Sequence, residues 1–143
     1  MPLYFAYGAN IDSEAMARLC PQSKLIGPAR LARFRFFIHA SGRASVAPAA
    51  NKNVHGLLWD IALRDMRALD MSENIAGTPS QKLQQGVIAA AGARRALVYM
   101  AADDRAGTPR GPYMQALLHA GIKAELPAAY LDELFRFTSN NTA

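Results

Sequence analysis

The sequence has few of the residues that form covalent or metal-bound scaffolds: one cysteine and three histidines among 143 residues. A single cysteine excludes an intrachain disulfide and fits a reducing, cytoplasmic compartment. Cys20 lies beside Pro21 and is expected to serve packing, although a lone thiol could also be catalytic. The histidines His39, His55 and His119 lack the paired spacing of metal ligands, so we expect no metal site.

Long apolar runs and several well-known site motifs are also missing. Arg, Asp or Gly interrupts every apolar stretch before membrane-spanning length, and no export signal opens the chain, so we expect no membrane partner. The motifs G-x-S-x-G, Gly-Lys-Ser/Thr and G-x-G-x-x-G are absent, which weakens serine-hydrolase and nucleotide-binding hypotheses. The formal charge of +5 raises nucleic acid as a partner. However, the arginines are scattered, so we expect no nucleic acid and note that this charge could steer a small anionic substrate.

The apolar content, 51% of the residues, is sufficient for one globular core. We therefore predict a single domain over residues 1–137 and a flexible C-terminal tail over residues 138–143. Apolar and β-branched patterning predicts strands at residues 3–7, 31–38, 45–47, 54–61, 86–91 and 94–101, with a break at Gly27 and Pro28 and a polar turn at residues 49–53.

Capping and periodicity predict four helices. They begin at Asp12 or Ser13, at Ala62, at Pro112 and after Pro127, and the third is expected to stop at Gly121. In the last helix one face carries four side chains that we expect in the core: Tyr130, Leu131, Leu134 and Phe135.

The stretch "LYFAYGAN" at residues 3–10 runs from an apolar strand into a glycine turn and then a helix start. Successive backbone N–H groups in such a turn can bind a carboxylate or stabilise an oxyanion. Gly8 permits close approach of the backbone, Ala9 adds no bulky side chain, and Asn10 tolerates a left-handed conformation. Many strand-to-helix turns contain Gly and Asn for geometry alone, so a purely structural role stays open at this point.

Among the carboxylates, Glu73 differs from the others by its position at the predicted C-terminal end of a helix. The helix dipole there and Asp70 one turn earlier both raise its pKa, as a general acid/base at neutral pH requires. The alternative is an ordinary surface glutamate. We expect Asp12 and Asp65 to be caps or helix-surface residues, and the remaining candidates to be solvated: Asp103, Asp104, Asp132 and Glu133.

Several blocks, in order, resemble the γ-glutamylcyclotransferase-like family, which includes the plant avirulence-induced (AIG2-like) proteins. The blocks are "YFAYGAN" (4–10), "GPARLARFRFFI" (27–38), "SVAPAANKNVHGLLWDI" (45–61), "LDMSEN" (69–74), "ALVYM" (96–100) and "GPYMQALLHAGIKAELPAAYLDEL" (111–134). The resemblance implies an α+β fold, with a mixed, mainly antiparallel small β-barrel surrounded by helices. It also implies a cavity at the YGAN turn, residues 7–10.

The family pattern Leu-Asp-x-x-Glu-Gly places the catalytic acid/base on Glu73. The resemblance further implies a substrate site formed by Tyr7, Gly8, Ala9, Asn10 and Tyr113. The implied reaction converts a small γ-glutamyl amine or peptide into 5-oxoproline and a free amine, without a metal or organic cofactor. The leaving amine and the oligomeric state stay open.

The sequence departs from the family pattern at the proposed site. Ala9 replaces the usual Ser, Asn74 replaces the usual Gly, and Ser80 with Lys82 stands where a Tyr and a basic residue are common. These departures leave a non-catalytic small-molecule-binding module on the same fold as the alternative function.

Overall fold

Five strands close into a barrel in the computed structural model, which describes residues 2–74, 80–109 and 111–139. The strands are Leu3–Ala6 (β1), Lys24–Ile38 (β2), Ala44–Asp60 (β3), Ser80–Ala89 (β4) and Gly92–Ala101 (β5), in the order β1-β3-β2-β4-β5 around the barrel. β1 and β5 are parallel, joined at Tyr4 and Leu97, and the other neighbours are antiparallel. The predicted mixed, mainly antiparallel barrel is confirmed.

In the described residues, four helices accompany the barrel. They are Ser13–Leu19 (α1), Met66–Glu73 (α2), Gly111–Lys123 (α3) and Ala128–Ser139 (α4), and short 3-10 turns at Ala9–Ile11 and Leu63–Asp65 precede the first two. Asp12 caps α1 as predicted, because its carboxylate accepts the backbone N–H groups of Glu14 and Ala15 at 3.0 and 3.3 Å. Within the described part of the chain, no helix is long and apolar enough to cross a membrane.

The core is formed by side chains from the strands and by one face of the helices. Its fully buried large members include Phe5, Leu31, Val54 and Leu58 from the strands and Met114, Leu117 and Leu134 from α3 and α4. Cys20 is buried and part of the same cluster, which agrees with the expected packing role. Burial raises the pKa of its thiol to about 11, because the thiolate would lose its hydration.

The two long strands contain the main errors of the strand prediction. β2 continues through Gly27 and Pro28, with a register shift between Leu25 and Gly27 in place of the expected break. β3 continues through the expected polar turn at residues 49–53, with a second register shift beside the left-handed Arg33. The register passes from Ala32–Asn53 to Phe34–Pro48, so residues 49–52 bulge from β3 without partners on β2, and the polar side chains of the stretch stay exposed.

Two expectations for the last helices are also wrong. α3 passes through Gly121 to Lys123, and a Cβ at Gly121 would lie only 3.1 Å from Leu131 Cδ2, so this glycine allows helix contact. On α4, Tyr130 and Leu134 are buried as expected, but Phe135 is 59% exposed. The predicted tail begins inside α4, and residues 140–143 lie outside the described residues.

We expected Asp65 to be a cap or a helix-surface residue; it stands at the N-cap position of α2, but its side chain makes no capping hydrogen bond and is buried. Its carboxylate accepts hydrogen bonds from the Gln22 backbone N–H and the Ser23 hydroxyl, both at 2.8 Å. These donors replace the water that the carboxylate loses, and they connect the segment before β2 to the start of α2.

Gly56 provides a direct test of barrel packing. A Cβ at Gly56 would collide with the Ala6 carbonyl oxygen and lie 3.2 Å from Phe5 Cε1, whereas a Cβ at Gly86 would meet nothing within 4 Å. We expect Gly56→Ala to lower the free energy of unfolding by about 1–3 kcal/mol, because β3 must move away from β1. Chemical denaturation measures this, with Gly86→Ala as the control. Equal unfolding midpoints for the two variants would contradict the packing described.

Candidate active site

The YGAN turn leads from β1 into the 3-10 turn that precedes α1. The hydrogen bonds of this turn are donated by Ile11 to the Gly8 carbonyl at 3.0 Å and by Asp12 to the Ala9 carbonyl at 3.2 Å. The preceding N–H groups therefore stand at the open beginning of a helical turn, where donors lack intrahelical partners. Asn10 does not adopt the left-handed conformation that the sequence suggested.

A cavity of about 50 Å³ lies beside this turn. It is lined by Tyr4, Tyr7, Gly8, Ala9, Asn10, Arg43, Ala44, Ser72, Glu73 and Tyr113. The structure thus brings every predicted site residue to one place, although they come from three distant parts of the sequence. A second cavity of about 30 Å³ adjoins it and shares Tyr7, Arg43, Ala44 and Glu73, so that Glu73 lies between the two.

A larger cavity of about 540 Å³ lies elsewhere, between the start of α1 and α3. Its two carboxylates are already engaged: Asp12 caps α1, and Glu14 lies 3.8 Å from Lys123 in an exposed ion pair. We therefore place the candidate active site at the two smaller cavities, which share the Glu73 carboxylate. Across the described residues, no group of three or more His, Cys, Asp or Glu side chains could hold a metal ion.

Glu73 is the last residue of α2, and its carboxylate faces the cavity. The Tyr4 hydroxyl donates to Glu73 Oε2 at 2.6 Å, while Arg43 Nη2 lies 3.9 Å from Oε1. Burial raises the pKa of Glu73, the Tyr4 hydrogen bond and the Arg43 charge lower it, and Asp70 adds a smaller rise. The net direction is the expected one, but burial dominates where the sequence argument relied on the helix end and Asp70.

Tyrosine hydroxyls surround this carboxylate. Tyr7 donates to the Tyr99 carbonyl, Tyr99 donates to Asp70 Oδ1, and the Ala44 N–H donates to the Tyr113 hydroxyl at 3.1 Å. Burial is the largest cause of the raised pKa of each of these phenols, and the charge of Glu73 adds to it. The phenols therefore remain neutral and keep their protons for hydrogen bonding.

Sequence reasoning missed three residues of the site: Tyr4, Arg43 and Tyr99. Tyr4 belongs to the same block as the YGAN turn, so it could have been singled out as a polar handle on a buried strand. Arg43 lies in the turn between β2 and β3, and its Nη1 donates to the Glu73 carbonyl at 3.3 Å. No local pattern around Arg43 marks this contact, which joins residues thirty positions apart.

Three of the four departures from the family pattern form a connected group at the end of α2: Asn74, Ser80 and Lys82. The Ser80 hydroxyl lies 3.2 Å from the Glu73 carbonyl and 2.9 Å from Asn74 Oδ1. Asn74 has φ −107°, so its backbone does not adopt the left-handed conformation that favours glycine. Lys82 Nζ lies 3.0 Å from Asp70 Oδ1. Ser80 and Lys82 thus hold the helix that carries Glu73.

The sequence model of the AIG2-like family matches residues 53–134. The chain belongs to the AIG2-like family. This confirms the resemblance inferred from the sequence. No protein of curated function matches the chain.

Solved structures of this AIG2-like protein's fold include a gamma-glutamyl cyclotransferase, which is 20% identical with a TM-score of 0.84 over 93% of this chain and 85% of that one. An uncharacterized human protein is 22% identical, with a TM-score of 0.82 over 92% of this chain and 85% of its own. A mouse AIG2-like protein is 16% identical, with a TM-score of 0.60 over 71% and 78%. At these identities the likeness establishes the shared fold.

The buried carboxyl predicts a pH-dependent gain in stability for Glu73→Gln. Because the pKa of Glu73 is higher in the folded chain than its usual 4.5, folding favours the protonated form. The stability that Glu73 contributes is therefore full at acid pH and is lost as pH rises through the raised pKa.

We expect Glu73→Gln to have a higher Tm than the original chain at about pH 8, and the gap to close near about pH 4. Thermal unfolding across this range measures it. A gap that widens toward acid pH would show that ionised Glu73 is favoured by folding.

Proposed function

We propose that this AIG2-like protein is a γ-glutamylcyclotransferase-type enzyme. It converts a γ-glutamyl amine or γ-glutamyl peptide into 5-oxoproline and the free amine. The observation that carries the proposal is the Glu73 carboxyl, mostly buried and with a raised pKa, at the wall of a cavity that also contains the YGAN turn. Membership of the AIG2-like family and the fold shared with a gamma-glutamyl cyclotransferase support it.

The reaction moves two protons from the α-nitrogen to the leaving nitrogen and needs no water. Ionised Glu73 takes one proton from the substrate α-ammonium, and the neutral α-amine attacks the γ-carbonyl carbon to close a five-membered ring. The bond from that carbon to the leaving nitrogen then breaks as Glu73 gives its proton to that nitrogen. Ionised Glu73 takes the second proton from the ring nitrogen, which leaves the lactam N–H of 5-oxoproline, and passes it to the released amine as an ammonium. Nucleophile and electrophile belong to one molecule, so the site mainly has to fold the substrate and move the proton.

The YGAN turn supplies the donors for the negative charge of this reaction. Its backbone N–H groups at Gly8, Ala9 and Asn10 hold the substrate carboxylate or the oxyanion that develops on the γ-carbonyl oxygen. Backbone donors do not depend on the side chain at position 9, so Ala9 fits this role. Tyr7 and Tyr113 line the substrate, and Arg43 adds a positive charge that favours an anionic substrate.

The position of Glu73 also bears on the alternative, a binding module that has lost turnover. Such a module would be favoured by a carboxyl turned out of the cavity or covered by the residues that replace the family pattern. Glu73 lines both adjoining cavities, and Ser80 contacts its backbone carbonyl, not its carboxylate. These observations support the enzyme over the module.

Release of 5-oxoproline tests the proposal. The panel consists of γ-glutamyl amino acids, γ-glutamyl-lysine-type amines and glutathione, each assayed near neutral pH. We expect release from at least one class, and a loss of about 100-fold or more in kcat for Glu73→Gln, because the amide cannot accept the ammonium proton.

Glu133→Gln is the matched control, since this half-exposed glutamate of α4 lies outside both cavities. It is expected to retain the original rate. A folded protein that binds members of the panel and releases no 5-oxoproline from any of them would favour the binding module.

A further inference from the structure

Two side chains that nothing above assigns to the reaction are joined to Glu73 in a hydrogen-bonded chain. Asn10 Nδ2 donates to the Tyr4 hydroxyl at 3.0 Å, and the Tyr4 hydroxyl donates to Glu73 Oε2 at 2.6 Å. Tyr4 is 2% exposed, and its ring packs edge-on against Tyr99 with the centroids 5.7 Å apart. The phenol is therefore fixed in place by the strand and by this ring contact.

The donor and acceptor roles in these two hydrogen bonds follow from the number of protons that each group carries. A phenol has one proton, and the Asn10 amide nitrogen only donates. Because the Tyr4 oxygen accepts from Asn10, its own proton is left for Glu73 Oε2. Asn10 thus holds the hydroxyl in the orientation that serves the carboxylate.

These hydrogen bonds give the two carboxylate oxygens of Glu73 different partners. Oε2 accepts the Tyr4 proton, whereas among the described residues the group recorded beside Oε1 is Arg43 Nη2 at 3.9 Å, beyond hydrogen-bonding distance. Oε1 is therefore the oxygen available to a substrate proton. A carboxyl protonated on Oε1 can still accept from Tyr4 on Oε2, so the arrangement is compatible with every proton transfer of the proposed reaction.

We propose that Tyr4 and Asn10 are positioning residues for Glu73, acting in series to fix Oε2 and present Oε1 to the substrate. This inference rests on the proposed function. The backbone of Asn10 is not left-handed, so the conformation of the turn does not by itself require asparagine. The hydrogen bond from its side-chain amide to Tyr4 accounts for an asparagine at this position, and it connects the YGAN turn to Glu73.

Other groups also act on the protonation of Glu73 and stay unchanged in the test. They are Arg43 from the β2–β3 turn, Asp70 from α2, Tyr7 after β1, Tyr99 from β5 and Tyr113 from α3. The experiment therefore removes only the Tyr4 hydroxyl or the Asn10 amide. Tyr4→Phe keeps the ring and its contact with Tyr99.

The experiment titrates the Glu73 side chain by carbon-13 carboxyl NMR, with Glu73→Gln to assign the signal. We expect Tyr4→Phe to raise the Glu73 pKa by about one unit, because a donor to the charged form is lost. Asn10→Ala should raise it less, in the same direction. Tyr130→Phe removes another buried hydroxyl, in α4 and without contact to Glu73, and should leave the titration unchanged.

If Asn10 acts on Glu73 through Tyr4, the effects of Tyr4→Phe and Asn10→Ala on the Glu73 pKa are not additive. In the Tyr4→Phe background, Asn10→Ala should produce no further rise in the Glu73 pKa. With a substrate that is turned over, Tyr4→Phe should lower kcat by about 10-fold and move the acid limb of the kcat/KM profile to higher pH, with KM little changed.

Two results would overturn the inference: an unchanged Glu73 pKa in Tyr4→Phe, or full additivity in the double variant. The titration requires no substrate, so it is independent of the proposed function. A shifted pKa in a protein that releases no 5-oxoproline would reject cyclotransfer and the positioning role together, while leaving the hydrogen bonds established.

Discussion

The geometry of the candidate site depends on Tyr4, the residue at which the barrel closes. The backbone of Tyr4 pairs with Trp59 on β3 and, in the parallel direction, with Leu97 on β5. The side chain of the same residue donates to Glu73. Strand pairing holds a backbone within a fraction of an ångström, so the barrel fixes the phenol, and the phenol fixes the carboxyl.

Opposing influences set the pKa of the Glu73 carboxyl, which the proposed mechanism uses as an acid and as a base. Burial favours the protonated form of Glu73, while the Tyr4 hydroxyl and Arg43 favour the ionised form. A carboxyl with only the first influence would remain protonated and could not take up a proton. A carboxyl stabilised only in its ionised form, by the Tyr4 hydroxyl and Arg43, would be a poor proton donor to a leaving amine. The stability lost by burying this charge is the cost of such a compromise.

The sequence predicted best what depends on local chemistry or a distinctive pattern. Examples are the Asp12 cap, the β4–β5 hairpin and the position of Glu73 at a helix end. The family resemblance named residues that line one cavity in the structure. Prediction from the sequence failed where distant partners decide, as in the continuous β3 through Pro48 and the buried Asp65. Tyr4 and Glu73 are separated by sixty-nine positions, so the contact between them becomes visible only when the barrel is built.

The most direct measurement is turnover of a γ-glutamyl compound in water enriched in oxygen-18, with mass analysis of the products. Cyclisation joins the substrate's own nitrogen to the γ-carbon and consumes no water, so we expect 5-oxoproline without the heavy isotope. Hydrolysis would instead form glutamate with one heavy oxygen in its γ-carboxylate. Labelled glutamate as the main product would contradict cyclisation at this site.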